Sequence, residues 1–143
     1  MEARSLTELP IPRLERLRDV LVVDDDAQVR KLCRNTLAGA GYLVSEAADG
    51  REALALVDET LFDVIVLDLC MPDMDGLEFL SAVRSGMPRL KIVGISGFMG
   101  GAMLHAAKLS GAAATLLKPF SPDALLSIVA QVLDNTVLKP PAM

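Results

Sequence analysis

From residue 20 onward the chain alternates between two hydrophobic rhythms. Val20, Leu21, Val22 and Val23 form a short continuous apolar run rich in β-branched residues, the pattern of a strand buried on both faces. Over residues 27–40 the apolar positions fall at Val29, Leu32, Cys33, Leu37 and Ala40. That spacing marks one face of a helix, with Asp26 as its N-cap and Gly41 as its terminator. The alternation then repeats. Strands are predicted over 42–47, 62–67, 90–95 and 112–117, and helices over 50–60, 76–85, 99–109 and 122–134. Asp49 with Glu52, and Asp75 with Glu78, each place an acceptor at a cap and a glutamate three residues later. Ser121, Pro122 and Asp123 supply cap, first-turn proline and first-turn acid for the last helix. Gly97, Gly100 and Gly101 weaken the start of the fourth.

Outside this pattern, residues 1–18 are polar and broken by Pro10 and Pro12, and read as an extension with a short helical turn at 13–18. Residues 135–143, with Pro140 and Pro141, read as a tail, leaving one domain over 19–134. Five strands alternating with five helices imply an α/β architecture: a parallel sheet covered on both faces and joined by right-handed crossovers. The expected arrangement is the flavodoxin-like doubly wound sheet, five strands in the order 2-1-3-4-5, whose sites lie beyond the carboxyl ends of the strands. The chemically unusual residues fall there. Asp24 and Asp25 end the first strand, Asp68 the third, Ser96 the fourth and Lys118 the fifth.

Three carboxylates at the rim of an apolar sheet need company. Two like charges about 4 Å apart repel by about 4 kcal/mol at an effective dielectric near 20, so the group needs a cation or shifted pKa values. A hard dication such as Mg²⁺, which takes carboxylate and carbonyl oxygens and keeps waters, meets that need. With the ion's two charges and the one on Lys118, the three acids are formally neutralised, and an arriving phosphoryl dianion meets two positive partners. Each residue also has a plainer reading. Asp26 serves as a cap alone, Ser96 could cap the following helix, and Lys118 could be an ordinary solvated lysine, although an apolar strand and Pro119 flank it.

Composition narrows the classes further. The chain has 143 residues, 52% hydrophobic and 23% charged, which suits a folded domain rather than disorder. A net charge of −5 argues against nucleic-acid binding, which needs a basic face, and without tryptophan a base-stacking platform is not expected. Cys33 and Cys70 lie far apart, so neither a zinc site nor a disulfide framework is suggested. Residues 1–5 carry both charge signs with no apolar stretch behind them, and no run of about 18 apolar residues follows anywhere. The expectation is a cytoplasmic protein with no secretory leader and no membrane span.

Four motifs in order complete the reading: Val22-Val23-Asp24-Asp25-Asp26; Val64-Ile65-Val66-Leu67-Asp68-Leu69-Cys70-Met71-Pro72-Asp73-Met74-Asp75-Gly76; Ile95-Ser96; and Leu117-Lys118-Pro119-Phe120. With them, residues 20–133 resemble the receiver domains of two-component response regulators, including the freestanding chemotaxis type. The resemblance implies that Asp68 is the phosphoacceptor, taking a phosphoryl group from a phosphohistidine on a sensor histidine kinase or a histidine phosphotransfer protein. It implies that Asp24, Asp25, Asp68 and the main-chain carbonyl of Cys70 hold Mg²⁺. It implies that Lys118 pairs with Asp68 and then with the phosphoryl oxygens, that Ser96 hydrogen-bonds the phosphoryl group, and that the Lys118–Pro119 bond is cis. The expected protein is a covalently modified switch rather than an enzyme, signalling by contact with a downstream target protein, as a monomer or weak dimer. No output domain is expected after the fifth helix.

Three positions depart from the commonest family pattern. Cys70 stands where many receivers carry a polar residue two places after the acceptor, and Phe98 two places after Ser96; together they could exclude water and prolong the phosphorylated state. Cys70 is also open to a plainer reading as a small apolar filler. Thr115 replaces the usual aromatic three residues before Lys118, so a ring flip is unavailable and a shift of the fourth helix is the expected output route. His105, the one histidine, is read as a surface or interface residue on that helix. Competing classes fit less well. A haloacid-dehalogenase-like phosphatase needs a second aspartate where Cys70 stands, and a nucleotide binder needs an anion-cradling loop where the acids stand. A phosphorylation-independent, receiver-like interaction module remains the other alternative.

Overall fold

The computed structural model describes residues 18–72, 74–97 and 101–137. The first apolar run becomes strand β1 (Asp19–Val23), and the helical spacing behind it becomes α1 (Ala27–Gly39). In turn follow β2 (Leu43–Ala47), α2 (Gly50–Glu59), β3 (Val64–Asp68), β4 (Cys70–Met71), β5 (Met74–Asp75), α3 (Gly76–Gly86), β6 (Lys91–Ser96), α4 (Gly101–Leu109), β7 (Ala114–Leu117) and α5 (Pro122–Val137). β1, β2, β3, β6 and β7 form one parallel sheet in the order β2-β1-β3-β6-β7, the expected 2-1-3-4-5 arrangement counted on the sheet strands. The flavodoxin-like class is therefore the observed one.

Side-chain alternation along the strands divides the core in two. Leu21 and Val23 of β1, Ile65 and Leu67 of β3 and Ile92 of β6 pack on one face, with Ala53 and Val57 of α2, Phe79, Leu80 and Val83 of α3 and Ala107 of α4. Val20, Val22, Val64, Val66, Val93 and Ile95 pack on the other, with Cys33 and Leu37 of α1 and Leu125, Val129, Val132 and Leu133 of α5. Each fully buried leucine, isoleucine or valine contributes about 1.5–3 kcal/mol. All five residues of the central strand β3 are buried, which fixes the strand that carries Asp68.

The helix ends follow the sequence signals. Asp26 accepts from the N–H groups of Gln28 and Val29, and Asp49 accepts from Glu52 while Glu52 accepts from Ala48. Ser121 Oγ accepts from Ala124 N–H, capping α5. After α1, Gly41 takes a positive φ of 100°. Its N–H donates to Ala38 and that of Tyr42 to Leu37, closing the helix in the paired pattern only glycine admits without strain. That bond corrects the predicted start of the second strand: Tyr42 finishes the helix turn and pairing begins at Leu43.

Two further differences have local causes. The segment after Asp68, expected as a plain loop, folds into the antiparallel ribbon of β4 and β5, with Cys70 opposite Asp75 and Met71 opposite Met74. Gly76 then starts α3 against the backbone of Leu69: a Cβ there would lie 2.6 Å from Leu69 Cα, so only glycine lets the helix press on the loop behind Asp68. The last helix runs to Val137, past the domain end expected at 134, because Asn135, Thr136 and Val137 contain no helix breaker and the prolines come later. The predicted turn at 13–18 falls almost wholly outside the described residues, as do Phe98, Met99 and Gly100. Among the described residues no helix is long and apolar enough to cross a membrane.

Candidate functional site: an acidic cluster at the carboxyl rim of the sheet

The parallel ladders continue one residue beyond the strands and set the site residues in place. Asp24 N–H donates to Ala47 O at 3.1 Å, Leu69 N–H to Ile95 O at 2.9 Å and Lys118 N–H to Ser96 O at 3.0 Å. The backbone around each functional side chain is thus fixed by a neighbouring strand. Among the described residues, the only buried polar or charged ones are Asp24, Asp68 and Ser96, at 2%, 4% and 0% exposure. Polar groups are costly to bury without partners, so their convergence at one rim marks this place against the rest of the core.

One carboxylate oxygen from each of Asp24, Asp25 and Asp68 lies within 4.8 Å of the others, with Asp25 on the solvent side. Lys118 Nζ lies 3.0 Å from Asp24 Oδ2 and 3.4 Å from Asp68 Oδ2, bridging the two buried acids. The remaining oxygens are held by the main chain: Asp24 Oδ1 accepts from Asp26 N–H at 2.9 Å and Asp68 Oδ1 from Cys70 N–H at 3.0 Å. Burial pushes the Asp24 carboxyl above its usual range, with the Asp68 charge adding to the rise, against the opposing pull of the Asp26 N–H and of Lys118. Burial alone would lower Lys118, but its ion pairs with Asp24 and Asp68 outweigh that and hold the ammonium above the usual lysine range.

One ammonium does not balance three carboxylates, and Asp24 Oδ2 has no hydrogen-bond donor beyond that ionic contact. A buried carboxylate oxygen held only by that ammonium, beside two other carboxylates, gives a donor set of hard oxygens only, which fits Mg²⁺ better than a soft, thiophilic ion. Cys70 stands at the mouth. Its thiol lies 3.7 Å from Ser96 Oγ, tying the loop after β3 to the end of β6. Thr115 is half-buried in β7 opposite Gly94; Ala114 and Leu116 pack on the α1 and α5 side, so alternation turns Thr115 toward α4. Gly97 passes so close to Lys118 that a Cβ there would meet the lysine's own Cβ at 3.0 Å. The Lys118–Pro119 peptide is cis.

The family model for the response regulator receiver domain matches residues 20–130. The chain belongs to that family. The receiver fold of the chemotaxis response regulator CheY4 of Vibrio cholerae superposes with a TM-score of 0.77 at 41% identity, over 82% of this chain and 100% of that one. The chemotaxis protein CheY of Thermotoga maritima is 33% identical over 114 residues, 79% of this chain and 95% of that protein. The probable transcriptional regulator ycf27 of Guillardia theta is 35% identical over 125 residues, of which this receiver spans 48% of the length. The chain therefore spans about half the length of some curated relatives and nearly all of others.

Sequence patterns alone did not reveal one layer of this receiver's site. Arg30, in the first turn of α1, sends Nη1 to the main-chain carbonyl of Asp24 at 2.7 Å and Nε to Glu46 Oε1 at 3.2 Å. Arg34, one turn on, pairs with Glu46 Oε2 at 2.8 Å. The Arg34 hydrogen bond, with that of Arg30, draws the Glu46 carboxyl below its usual range. The readable signal was two arginines spaced i, i+4 on α1; their glutamate lies across a strand boundary, where spacing says nothing.

Proposed function

We propose that this receiver is a phosphoacceptor switch of a two-component phosphorelay, taking its phosphoryl group on Asp68. The observation that supports this most directly is the placement of Lys118 between the buried carboxylates of Asp24 and Asp68, with Asp25 completing a three-acid cluster at the rim. A carboxylate oxygen of Asp68 attacks the phosphorus of a phosphohistidine on a sensor histidine kinase or histidine phosphotransfer protein. The P–N bond breaks as the P–O bond forms, and the imidazole leaves as a neutral ring after taking a proton from solvent. Asp24, Asp25, Asp68 and the carbonyl of Cys70 would hold Mg²⁺, which supplies positive charge to the transferring phosphoryl oxygens when bound.

The chain's own groups do the remainder. The Cys70 N–H holds one Asp68 oxygen, so the acceptor presents a fixed face to the donor. Lys118 moves from the Asp68 carboxylate to a phosphoryl oxygen, and Ser96 donates its hydroxyl to another; positioning and charge neutralisation are most of what phosphoryl transfer requires. The protein is then modified once per signal rather than turning over a metabolite, and it works in the cytoplasm by contact with a downstream target. Thr115 carries no ring to flip, so the signal leaves through a shift of α4. The test is incubation with acetyl phosphate and Mg²⁺ followed by intact-mass measurement. One phosphoryl adduct on the wild type, absent from Asp68→Asn, is expected. An unmodified wild type, or an adduct that survives in Asp68→Asn, would overturn the reading.

A further inference from the structure

We infer that Arg30 is a positioning residue for the divalent-cation site, acting through the peptide unit between Asp24 and Asp25. The inference rests on the Mg²⁺ reading above. The carbonyl of Asp24 belongs to the peptide that joins the two acids, so whatever pins it fixes how Asp25 leaves the strand and where its carboxylate comes to rest. Arg30 Nη1 pins it at 2.7 Å, the shortest of the contacts to this turn. The guanidinium is largely buried and cannot swing freely, because its Nε is held by Glu46 at 3.2 Å. Glu46 is in turn held by Arg34 at 2.8 Å, and it sits in β2 beside Ala47, whose carbonyl accepts from Asp24 N–H. Strand β2, helix α1 and the acidic turn are thereby locked into one unit, with Asp24 held at its N–H, its carbonyl and its Oδ1.

The electrostatic effect of Arg30 runs opposite to this role, which makes the two separable. A cation close to a cation site weakens binding of a dication, so removing the charge should tighten Mg²⁺ if charge were all that mattered. Glu46 offsets that repulsion and leaves the geometric effect in control. Outer-shell partners that orient metal ligands change affinity by about 10–100-fold when removed.

The experiment is titration of Mg²⁺ alone by calorimetry on the full chain, wild type against Arg30→Met, Arg30→Lys and Arg34→Gln. Circular dichroism checks the fold, and the phosphorylation rate from acetyl phosphate is measured across Mg²⁺ concentrations. Arg30→Met is expected to weaken Mg²⁺ about tenfold while the rate at saturating Mg²⁺ returns to the wild-type value, and Arg30→Lys should fall between. Arg34→Gln, which loosens Glu46 but leaves the Asp24 carbonyl contact in place, should weaken Mg²⁺ by less than Arg30→Met does. Unchanged or tighter Mg²⁺ binding in Arg30→Met overturns the inference. So does equal weakening in Arg34→Gln, or a rate that stays low at saturating Mg²⁺, which would mark damage to the acceptor. If Arg30→Met does not fold, wild-type affinity in Arg30→Lys overturns it instead. A wild type with no Mg²⁺ affinity sinks the reading of the site itself, and the inference with it; failure confined to the variants sinks the inference alone.

Discussion

The two ends of the acidic rim are built differently. On the β1 side, the turn into α1 is held by Asp26 as cap, by the Asp24 carboxylate on Asp26 N–H, and by the Arg30–Glu46–Arg34 clamp, and α1 itself closes with a glycine in positive φ. On the β7 side the ties are few. None of the four residues of β7 is buried, α4 has one buried residue in nine, and Leu109 and Leu117 are 77% and 48% exposed. The contrast is what the proposed switch requires. Ligands for the proposed cation would have to hold still, whereas a strand and helix carrying a signal outward would have to shift for a few kcal/mol, and a lightly packed region opens at the least cost.

That contrast should be largest in stability. Leu37, fully buried where α1 meets the sheet, should cost about 2–5 kcal/mol when cut back in Leu37→Ala, through lost burial and the cavity left behind. Leu109→Ala on α4 should change the unfolding free energy by less than about 0.5 kcal/mol, since most of that side chain already meets water. Urea unfolding of both variants measures the difference. Comparable losses would mean that α4 is packed as firmly as α1 and that the two ends are alike.

A smaller effect separates the two thiols. Cys33 lies in α1 at 1% exposure, and burial, reinforced by the Asp24 charge, pushes its thiol up to about 11. Cys70 is half-buried at the mouth of the site. Because the thiolate is the reactive form, a thiol reagent at pH 8 should label Cys70 in the native protein and both cysteines in denaturant, with mass spectrometry assigning the sites. Rapid native labelling of Cys33 would show that the α1 side opens as readily as the other.

How far these features could be read from sequence depends on the range of the forces behind them. The five sheet strands were legible because apolar runs and caps such as Asp26 and Ser121 act within a few residues. Asp24, Asp25, Asp68, Ser96 and Lys118 were legible as a group because a parallel doubly wound sheet brings every strand's carboxyl end to one rim. The ribbon of β4 and β5 was not, since a loop of seven residues offers no periodicity to read. The clamp was not, because Arg30 and Glu46 stand 16 positions apart and nothing local selects their pairing.

The finest test of the contrast is the pH dependence of that clamp. The Arg34 hydrogen bond holds the Glu46 carboxyl below its usual value of about 4.5; burial opposes it, and Arg30 adds to the lowering. A folded-state pKa below the unfolded one adds stability that is complete above the unfolded value and disappears as pH falls through the folded value. Glu46 is about a quarter exposed, so the pair is screened and Glu46→Gln should cost about 0.5 kcal/mol at pH 7. As pH falls below the usual glutamate value and through the lowered folded one, that gap should close, because the wild-type carboxyl also becomes neutral. The check is the difference in urea midpoint between wild type and Glu46→Gln at several pH values. A gap that stays constant through that fall would assign the loss to packing rather than charge, and Glu46 would then serve the acidic turn only by filling space beside Arg30.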